Sequence, residues 1–445
     1  MKRWLFERTD NITLVLFRFF YGFLMATEAF GALMTGWVRR TLVEPEFTFN
    51  FIGFDWIQPL PGWGMYFYFA LMGVMGLFIM AGYRYRFASF AFAFMWTGVY
   101  LMQKTSYNNH YYLMVLLGFI MAFLPAHRDL SLDVLRKPEL KRQWMPKGIT
   151  VLITAQLVIV YTYASVAKLY ADWLDFSFLK ILMESKRNLP VIGTFLQQEW
   201  VHTAMGIFGL VFDAVVIWAL LWKPTRKVAF ALSIFFHLFN SYVFKIGIFP
   251  YLSLAFCVFF FPADELRRWF HLPRDEELSE DPIKIPKHSR WSLPVIGTYL
   301  LIQFLLPLRH HLIEGPVLWT EEGHRMSWRM MLRSRNGNVS IRVVNKTDGT
   351  TKRVELQRYL TRKQMRKVAT YPDFIWQFCQ RLKREYEEEG QEIEIYVTGR
   401  VSINRKNPQA LIDPTVDMAT AEWNYFFHND WILPYRDLEA ENASE

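Results

Sequence analysis

The chain has 445 residues, 52% of them hydrophobic and 18% aromatic, and its apolar residues crowd into the first 310 positions. That composition excludes a wholly water-soluble globular protein and places most of the chain in lipid. The net charge of +9 comes without a basic face interleaved with aromatics in the polar part, which argues against nucleic acid as a partner.

Apolar runs near 12–34, 65–81, 88–103, 111–125, 149–167, 203–222, 228–243, 247–262 and 293–308 predict about nine transmembrane helices. Each approaches the roughly 17 to 25 residues that a hydrocarbon core requires once flanks are included. The first run follows Met-Lys-Arg-Trp-Leu-Phe-Glu-Arg-Thr-Asp and has no small-residue cleavage site, so it reads as a retained helix, not a signal peptide. Nine crossings put the two ends on opposite sides. With the N-terminus inside, twenty Lys and Arg fall on inner segments. Only eight, Arg39, Arg40, Lys104, Lys168, Lys180, Lys186, Arg187 and Lys245, fall on outer loops before the last span. The asymmetry predicts a multi-pass membrane protein with a cytoplasmic N-terminus and its C-terminal part outside.

After Pro307 the chain turns polar. Stretches at 326–333, 338–345, 350–356 and 391–404 read as strands, and 371–389 has helical periodicity. Asn336-Gly337 and Asp348-Gly349 sit where hairpin turns belong. The expected fold is a membrane all-α bundle of about nine transmembrane helices over 1–310, carrying the site. A soluble, β-rich α+β extracytoplasmic domain follows over 311–445, with a Pro- and charge-rich linker at 272–290. Cys257, inside the eighth span, and Cys379, in the outer helix, are not expected to bridge. Asn338, Asn345 and Asn442 open sequons that would face outward.

The chemistry-bearing residues gather at the outer ends of the spans. Lys168 closes the fifth run; it either snorkels to headgroups or is a desolvated amine among Tyr161, Tyr163, Val166 and Leu169, where burial disfavours the ammonium and makes a usable base. Asn108, Asn109 and His110 open the fourth run on the same side, an arrangement of polar groups that suits a cavity. In the seventh run His237 and Asn240 are i and i+3, and His237 and Ser241 i and i+4, so they share one helical face. The corner at Gly247 and Phe249-Pro250 follows, and the flat aromatic wall beside these polar groups suits a quinone headgroup. Asp213, in the middle of the sixth run, is a functional candidate as an intramembrane carboxylate, although its depth argues against direct pairing with Lys168. Arg18 and Glu28 are open to the same two readings. No His-Glu-x-x-His, Cys-x-x-Cys, Gly-rich phosphate loop or Gly-x-Ser-x-Gly occurs, which removes the usual support for metalloprotease, nucleotide-dependent and serine-hydrolase chemistry. No metal is expected.

These residues resemble the vitamin K-dependent γ-glutamyl carboxylases. The likeness is carried by Lys-Thr-Ser-Tyr-Asn-Asn-His at 104–110, Lys-Leu-Tyr-Ala-Asp-Trp at 168–173, Phe-His-Leu-Phe-Asn-Ser at 236–241, Ile-Gly-Ile-Phe-Pro-Tyr at 246–251 and Leu-Pro-Leu-Arg-His at 306–310. It continues through Leu-Trp-Thr-Glu-Glu-Gly-His-Arg-Met-Ser-Trp-Arg-Met-Met at 318–331, Arg-Val-Ser-Ile-Asn at 400–404 and Ile-Asp-Pro-Thr-Val-Asp at 412–417. The resemblance implies that vitamin K hydroquinone (reduced menaquinone or phylloquinone) is oxygenated to its epoxide with O2, coupled to carboxylation of glutamate by CO2. It implies Lys168 as the base and His110, with Asn109, as the holder of the quinone oxygen. With the aromatic wall, His237, Asn240, Phe249 and Tyr161 complete the cofactor set. Substrate binding falls to His310 and Arg309, with Trp319 and Trp328 of the adjoining block. The implied partners are a glutamate-containing peptide or protein, membrane lipid with its quinone pool, and a quinone or epoxide reductase for recycling. The short, cysteine-poor form, with Arg329 in place of an acidic residue, resembles a bacterial member. That implies a bacterial cytoplasmic membrane, or the endoplasmic reticulum in a eukaryote. Two alternatives stand beside this reading: a menaquinol epoxidase or sensor that carboxylates no protein, and a membrane transporter or receptor with a ligand-binding outer domain.

Overall fold

The computed structural model describes residues 2–274, 287 and 289–436; most of the 272–290 linker and the Asn442 sequon lie outside the described residues. Helices occupy all nine apolar runs: α1 (Ile12–Met34), α2 (Gly64–Ala81), α3 (Tyr85–Met102), α4 (Asn109–Phe123), α5 (Gly148–Val166), α6 (Glu199–Leu221), α7 (Arg226–Phe244), α8 (Phe249–Phe256) and α9 (Ser289–Leu305). Six of them, α1, α2, α5, α6, α7 and α9 with its continuation to Leu312, are long and apolar enough to cross a membrane. Six of the nine expected spans meet that measure among the described residues. With 15 residues, α4 rises about 22 Å, short of a core about 30 Å thick. In turn α8 tightens into a 3-10 turn at Cys257–Phe260, and α3 opens on Tyr85-Arg86.

The exposed faces are those of a protein solvated by lipid. Ile207, Val211, Val215 and Trp218 form an exposed stripe on α6, as do Leu232, Phe235, Leu238 and Tyr242 on α7. Stripes of that size on a water-facing helix would be an aggregation surface. Inside the bundle α1 and α2 approach closely because small residues face each other: a Cβ on Gly22 would lie 2.2 Å from the Met80 nitrogen, and one on Gly76 2.5 Å from the Ala26 nitrogen. Arg18 is structural. Its guanidinium donates to the carbonyls of Ala126 at 3.0 Å, Asp129 at 3.3 Å and Leu130 at 2.6 Å. Glu28 accepts from the Tyr111 hydroxyl at 2.8 Å.

The C-terminal part is an antiparallel sheet, order β4-β3-β5-β6, of β3 (Arg335–Asn345), β4 (Thr351–Arg353), β5 (Ile393–Ile403) and β6 (Gln409–Ala410); β1 (Arg8–Asp10) and β2 (Trp144–Pro146) form a separate two-stranded pair. Ile393, Ile395 and Val397 alternate onto one buried face of β5. Against it packs α10 (Pro372–Glu388) through Phe374, Ile375, Phe378, Cys379 and Leu382, spaced as one side of a helix. Asp348-Gly349 turns the β3–β4 hairpin, but Asn336-Gly337 lies within β3 opposite Ser402 and Val401. The glycine there permits a close approach: a Cβ on Gly337 would sit 2.8 Å from both Ala369 O and Arg400 O. The strand expected at 326–333 does not form. Met326, Trp328 and Met331 all have positive φ, which a strand does not accommodate.

The two parts are tied by buried polar contacts. Lys104 pairs with Asp373, which also receives Arg325 at 2.9 Å. Asn404 Nδ2 donates to Asp172 Oδ2 at 2.7 Å, and Gln377 Nε2 donates to Asn50 O at 3.0 Å.

Candidate functional site

Helix α5 ends at Val166, and the chain turns through Lys168, whose backbone N–H donates to Ser165 O at 2.9 Å. Tyr170 leaves the turn extended and donates its hydroxyl to Leu332 O. Side chains at a helix end lean toward its N-terminus, so Lys168 reaches back into the bundle, away from the headgroups. Its Nζ donates to Ala164 O at 3.1 Å and to Asp213 Oδ2 on α6. Both side chains of the pair are 9% exposed.

That pairing corrects the depth argument made from the sequence. Helix α6 overhangs the end of α5: Trp173 Nε1 donates to Gly206 O at 3.2 Å, and Ser165 Oγ to Leu210 O at 3.3 Å. Mid-α6 is therefore level with the end of α5, and Asp213 lies within reach of the lysine stem. With its proton on either partner the pair is neutral overall, which is how two ionisable groups persist in a low-dielectric bundle. Lys168 is half of a carboxylate–amine couple, not a lone buried amine.

The pair opens onto a cavity of about 540 Å³ that runs from the bundle to the sheet domain, well within the range of small-molecule sites. Its membrane half is walled by Tyr161, His110, His237, Asn240 and Phe249. Phe249 sits between the two histidines, its ring stacked on His110 at 5.2 Å and edge-on to His237 at 6.3 Å. His237 Nε2 contacts the Tyr161 hydroxyl at 3.2 Å, while its buried Nδ1 has no hydrogen-bond partner. Asn109 also lines the cavity, but its amide is committed: Oδ1 accepts from Tyr107 Oη at 2.9 Å, and Nδ2 donates to Arg329 O at 2.8 Å.

The outer half is polar and cationic. Glu321, His324, Arg325, Arg329 and Arg333 line it, the last two from the stretch that fails to become a strand and the others from the residues just before it. Arg333 binds Glu321 and donates from Nη1 to His324 Nε2 at 2.9 Å. Burial, reinforced by Arg333, Arg329, Arg325 and Arg335, holds His324 well below the ordinary imidazole range. It is therefore neutral and carries its hydrogen on Nδ1, which has no partner. Arg329 Nε is likewise unpartnered. Two donors without acceptors in a positive pocket are what an anionic group would complete.

Among the described residues, none of the four nominated for substrate binding lines the cavity. His310 accepts from Arg329 Nη1 at 3.2 Å on Nε2 and donates from Nδ1 to Pro307 O at 2.8 Å. Arg309 donates to Leu306 O at 2.9 Å and to Arg325 O. Both brace the arginine segment from behind. Trp319 is buried in the core of the sheet domain, with its Nε1 donating to Leu433 O at 2.7 Å. Trp328 is buried against Tyr112, ring centroids 5.1 Å apart. Both rings serve as packing. His324, Arg325 and Arg333 are outside the set expected from the sequence, and they left one signal there: arginines at 325, 329 and 333, at a regular spacing of four.

Among the described residues, no cluster of three or more His, Cys, Asp or Glu side chains is arranged to hold a metal ion. Compared with known proteins, residues 6–265 match the family model described as the HTTM domain. Residues 288–438 match the one described as the vitamin K-dependent gamma-carboxylase, lumenal domain. No solved structure matches the chain. Two family models in succession, one over more than half of the chain and the other over the sheet domain, make this membrane protein a member of the vitamin K-dependent γ-carboxylase family.

Proposed function

We propose that the protein couples oxygenation of vitamin K hydroquinone to its epoxide with carboxylation of glutamate side chains by CO2. The observation that carries this reading is the single cavity that joins the Lys168–Asp213 couple and the aromatic wall to the arginine-lined outer half. Bound reduced vitamin K supplies, through its oxidation by O2, the strong base that no side chain provides for a glutamate γ-proton near neutral pH. The residues present fit such a ring: a flat wall at Phe249 and His110, and an unpartnered buried nitrogen on His237 for a ring oxygen.

Within this reading the couple rests with its own proton on Asp213, which orients the amine, so that neutral Lys168 takes the hydroquinone proton and the couple becomes positive beside the quinol anion. His110, His237, Tyr161 and Asn240 hold the ring, and the bundle keeps water from the basic step. Asn109 holds the Arg329 backbone in place. His324 and Arg329 take the glutamate carboxylate, with His310 and Arg309 supporting the segment. These outer groups favour carboxylation over quinol oxidation alone, because oxidation has no use for an anion site. The chain crosses the membrane nine times, with α3, α4 and α8 as short crossings, the N-terminus inside and the sheet domain outside. The quinone pool then enters laterally, the peptide from the outer face, and a separate reductase regenerates the quinol.

The test is quinol consumption by Lys168→Ala in lipid nanodiscs. Loss of consumption with partial rescue by a small primary amine supports the assignment. Undiminished consumption refutes it.

A further inference from the structure

The short helix Arg362–Val368 is held by a capping box between Thr361 and Gln364. It lies on the turn between α3 and α4: Lys363 Nζ donates to Ser106 Oγ at 2.6 Å, and Gln364 Nε2 donates to Phe47 O. Phe47 and Arg40 belong to the segment that joins α1 to α2, both long and apolar enough to cross a membrane. The helix is thereby fixed against the connections from α1 to α2 and from α3 to α4. Four cations meet there, Arg40, Lys363, Arg366 and Lys367, and among the described residues none of them pairs with a carboxylate; the nearby Arg39 is taken by Glu44 at 2.6 Å. Arg40 lies close enough to Lys363 to act on it as a like charge, as do Lys367 and Arg366. Arg40, Lys363 and Arg366 are exposed, whereas Lys367 turns to the Tyr371 ring at 4.2 Å and lines the cavity.

We propose that Arg40, Lys363 and Arg366 form a binding site for the phosphate of an anionic phospholipid, in the leaflet that faces the sheet domain. A cluster of unneutralised cations at headgroup height is the arrangement that such lipids recognise, and each cation favours the anionic over the neutral lipid by about five-fold. A lipid seated there clamps the sheet domain to the membrane surface beside the cavity mouth. The site rests on the crossing of α1 and α2 alone, and stands whether or not the proposed reaction is correct.

The full chain is reconstituted in nanodiscs of phosphatidylcholine and phosphatidylglycerol, gently extracted, and its retained lipids counted by native mass spectrometry. The wild type should retain one more phosphatidylglycerol than the triple variant Arg40→Gln, Lys363→Gln, Arg366→Gln. Substitution of Lys352, an exposed lysine on β4, should cost none. If the triple variant fails to fold, the exposed Arg366→Gln alone should lower occupancy of that lipid by about five-fold. Equal retention by wild type and variants overturns the proposal. So does displacement of the lipid by inorganic phosphate or by a polyglutamate peptide at comparable concentration, since either makes the site one for a soluble anion.

Discussion

The Lys168–Asp213 couple makes a quantitative prediction. Both side chains are 9% exposed, so solvent and salt screen them little, and removal of Asp213 leaves Nζ with Ala164 O at 3.1 Å and the Trp173 ring at 5.3 Å. Breaking a buried pair from one side costs about 3–5 kcal/mol, whereas replacing both partners by apolar groups of similar volume is often close to neutral. Asp213→Leu and Lys168→Met should each destabilise by that amount. The double variant should recover most of the loss, a coupling on the order of 3 kcal/mol in a double-mutant cycle. Reversible denaturation in mixed micelles, followed by near-UV circular dichroism, measures it. The double variant should nonetheless be inactive, which separates the structural part of the couple from its chemical part. Single variants that each lose less than about 1 kcal/mol and add without coupling would refute the pairing.

Three further outcomes follow from the cavity. His237→Phe should keep the fold and raise the quinol concentration needed for half-maximal consumption, because the unpartnered Nδ1 goes with the imidazole; an unchanged quinol dependence would remove His237 from the ring site. Arg329→Ala should raise the KM for a glutamate peptide about ten-fold or more, as expected for a lost charge-assisted hydrogen bond, while quinol binding is unaffected; a peptide KM within two-fold of wild type contradicts the anion site. For Asp373, burial alone pushes the carboxyl up, but Arg325 and Lys104 outweigh it and hold it well below the usual carboxylate range. A depressed folded value gives stabilisation that is complete above the unfolded value of about 3.9 and lost as pH falls through the folded one. Docking of the sheet domain, read by hydrogen exchange at 104–109, should be flat between about pH 5 and 7, below the value of about 8 to which burial lowers Lys104, and on the acid side fail only in strong acid. In Asp373→Asn the acid-sensitive component should disappear and neutral-pH protection should fall.

The membrane half of the site was legible because polar residues at the edge of an apolar run have few reasons to be there. Lys168, His110, His237 and Asn240 stand out on that ground, and with Tyr161 and Phe249 they do line one cavity. Asp213 was visible, but its partner was not. Depth counted from helix ends ignores both the overhang of α6 and the backward lean of the lysine stem. The outer half was hidden for another reason. The pattern at 326–333 resembles a strand, yet positive φ at Met326, Trp328 and Met331 folds it into an irregular segment. Arg309, His310 and Asn109 hold that segment through contacts to Arg325 O, the Arg329 guanidinium and Arg329 O. None of these long-range contacts has a local signature. Asn336-Gly337 misled in the same way: its glycine answers to Ala369 and Arg400 across space, and not to a turn.

The most direct measurement is mass spectrometry of a glutamate-containing peptide incubated with the purified chain, reduced menaquinone, O2 and isotopically labelled CO2, with quinone products followed in the same sample. The wild type should add labelled CO2 to the glutamate as epoxide accumulates, and Lys168→Ala should do neither. Epoxide without labelled peptide would reduce the account to quinol oxidation alone, and labelled peptide from Lys168→Ala would contradict it at its base.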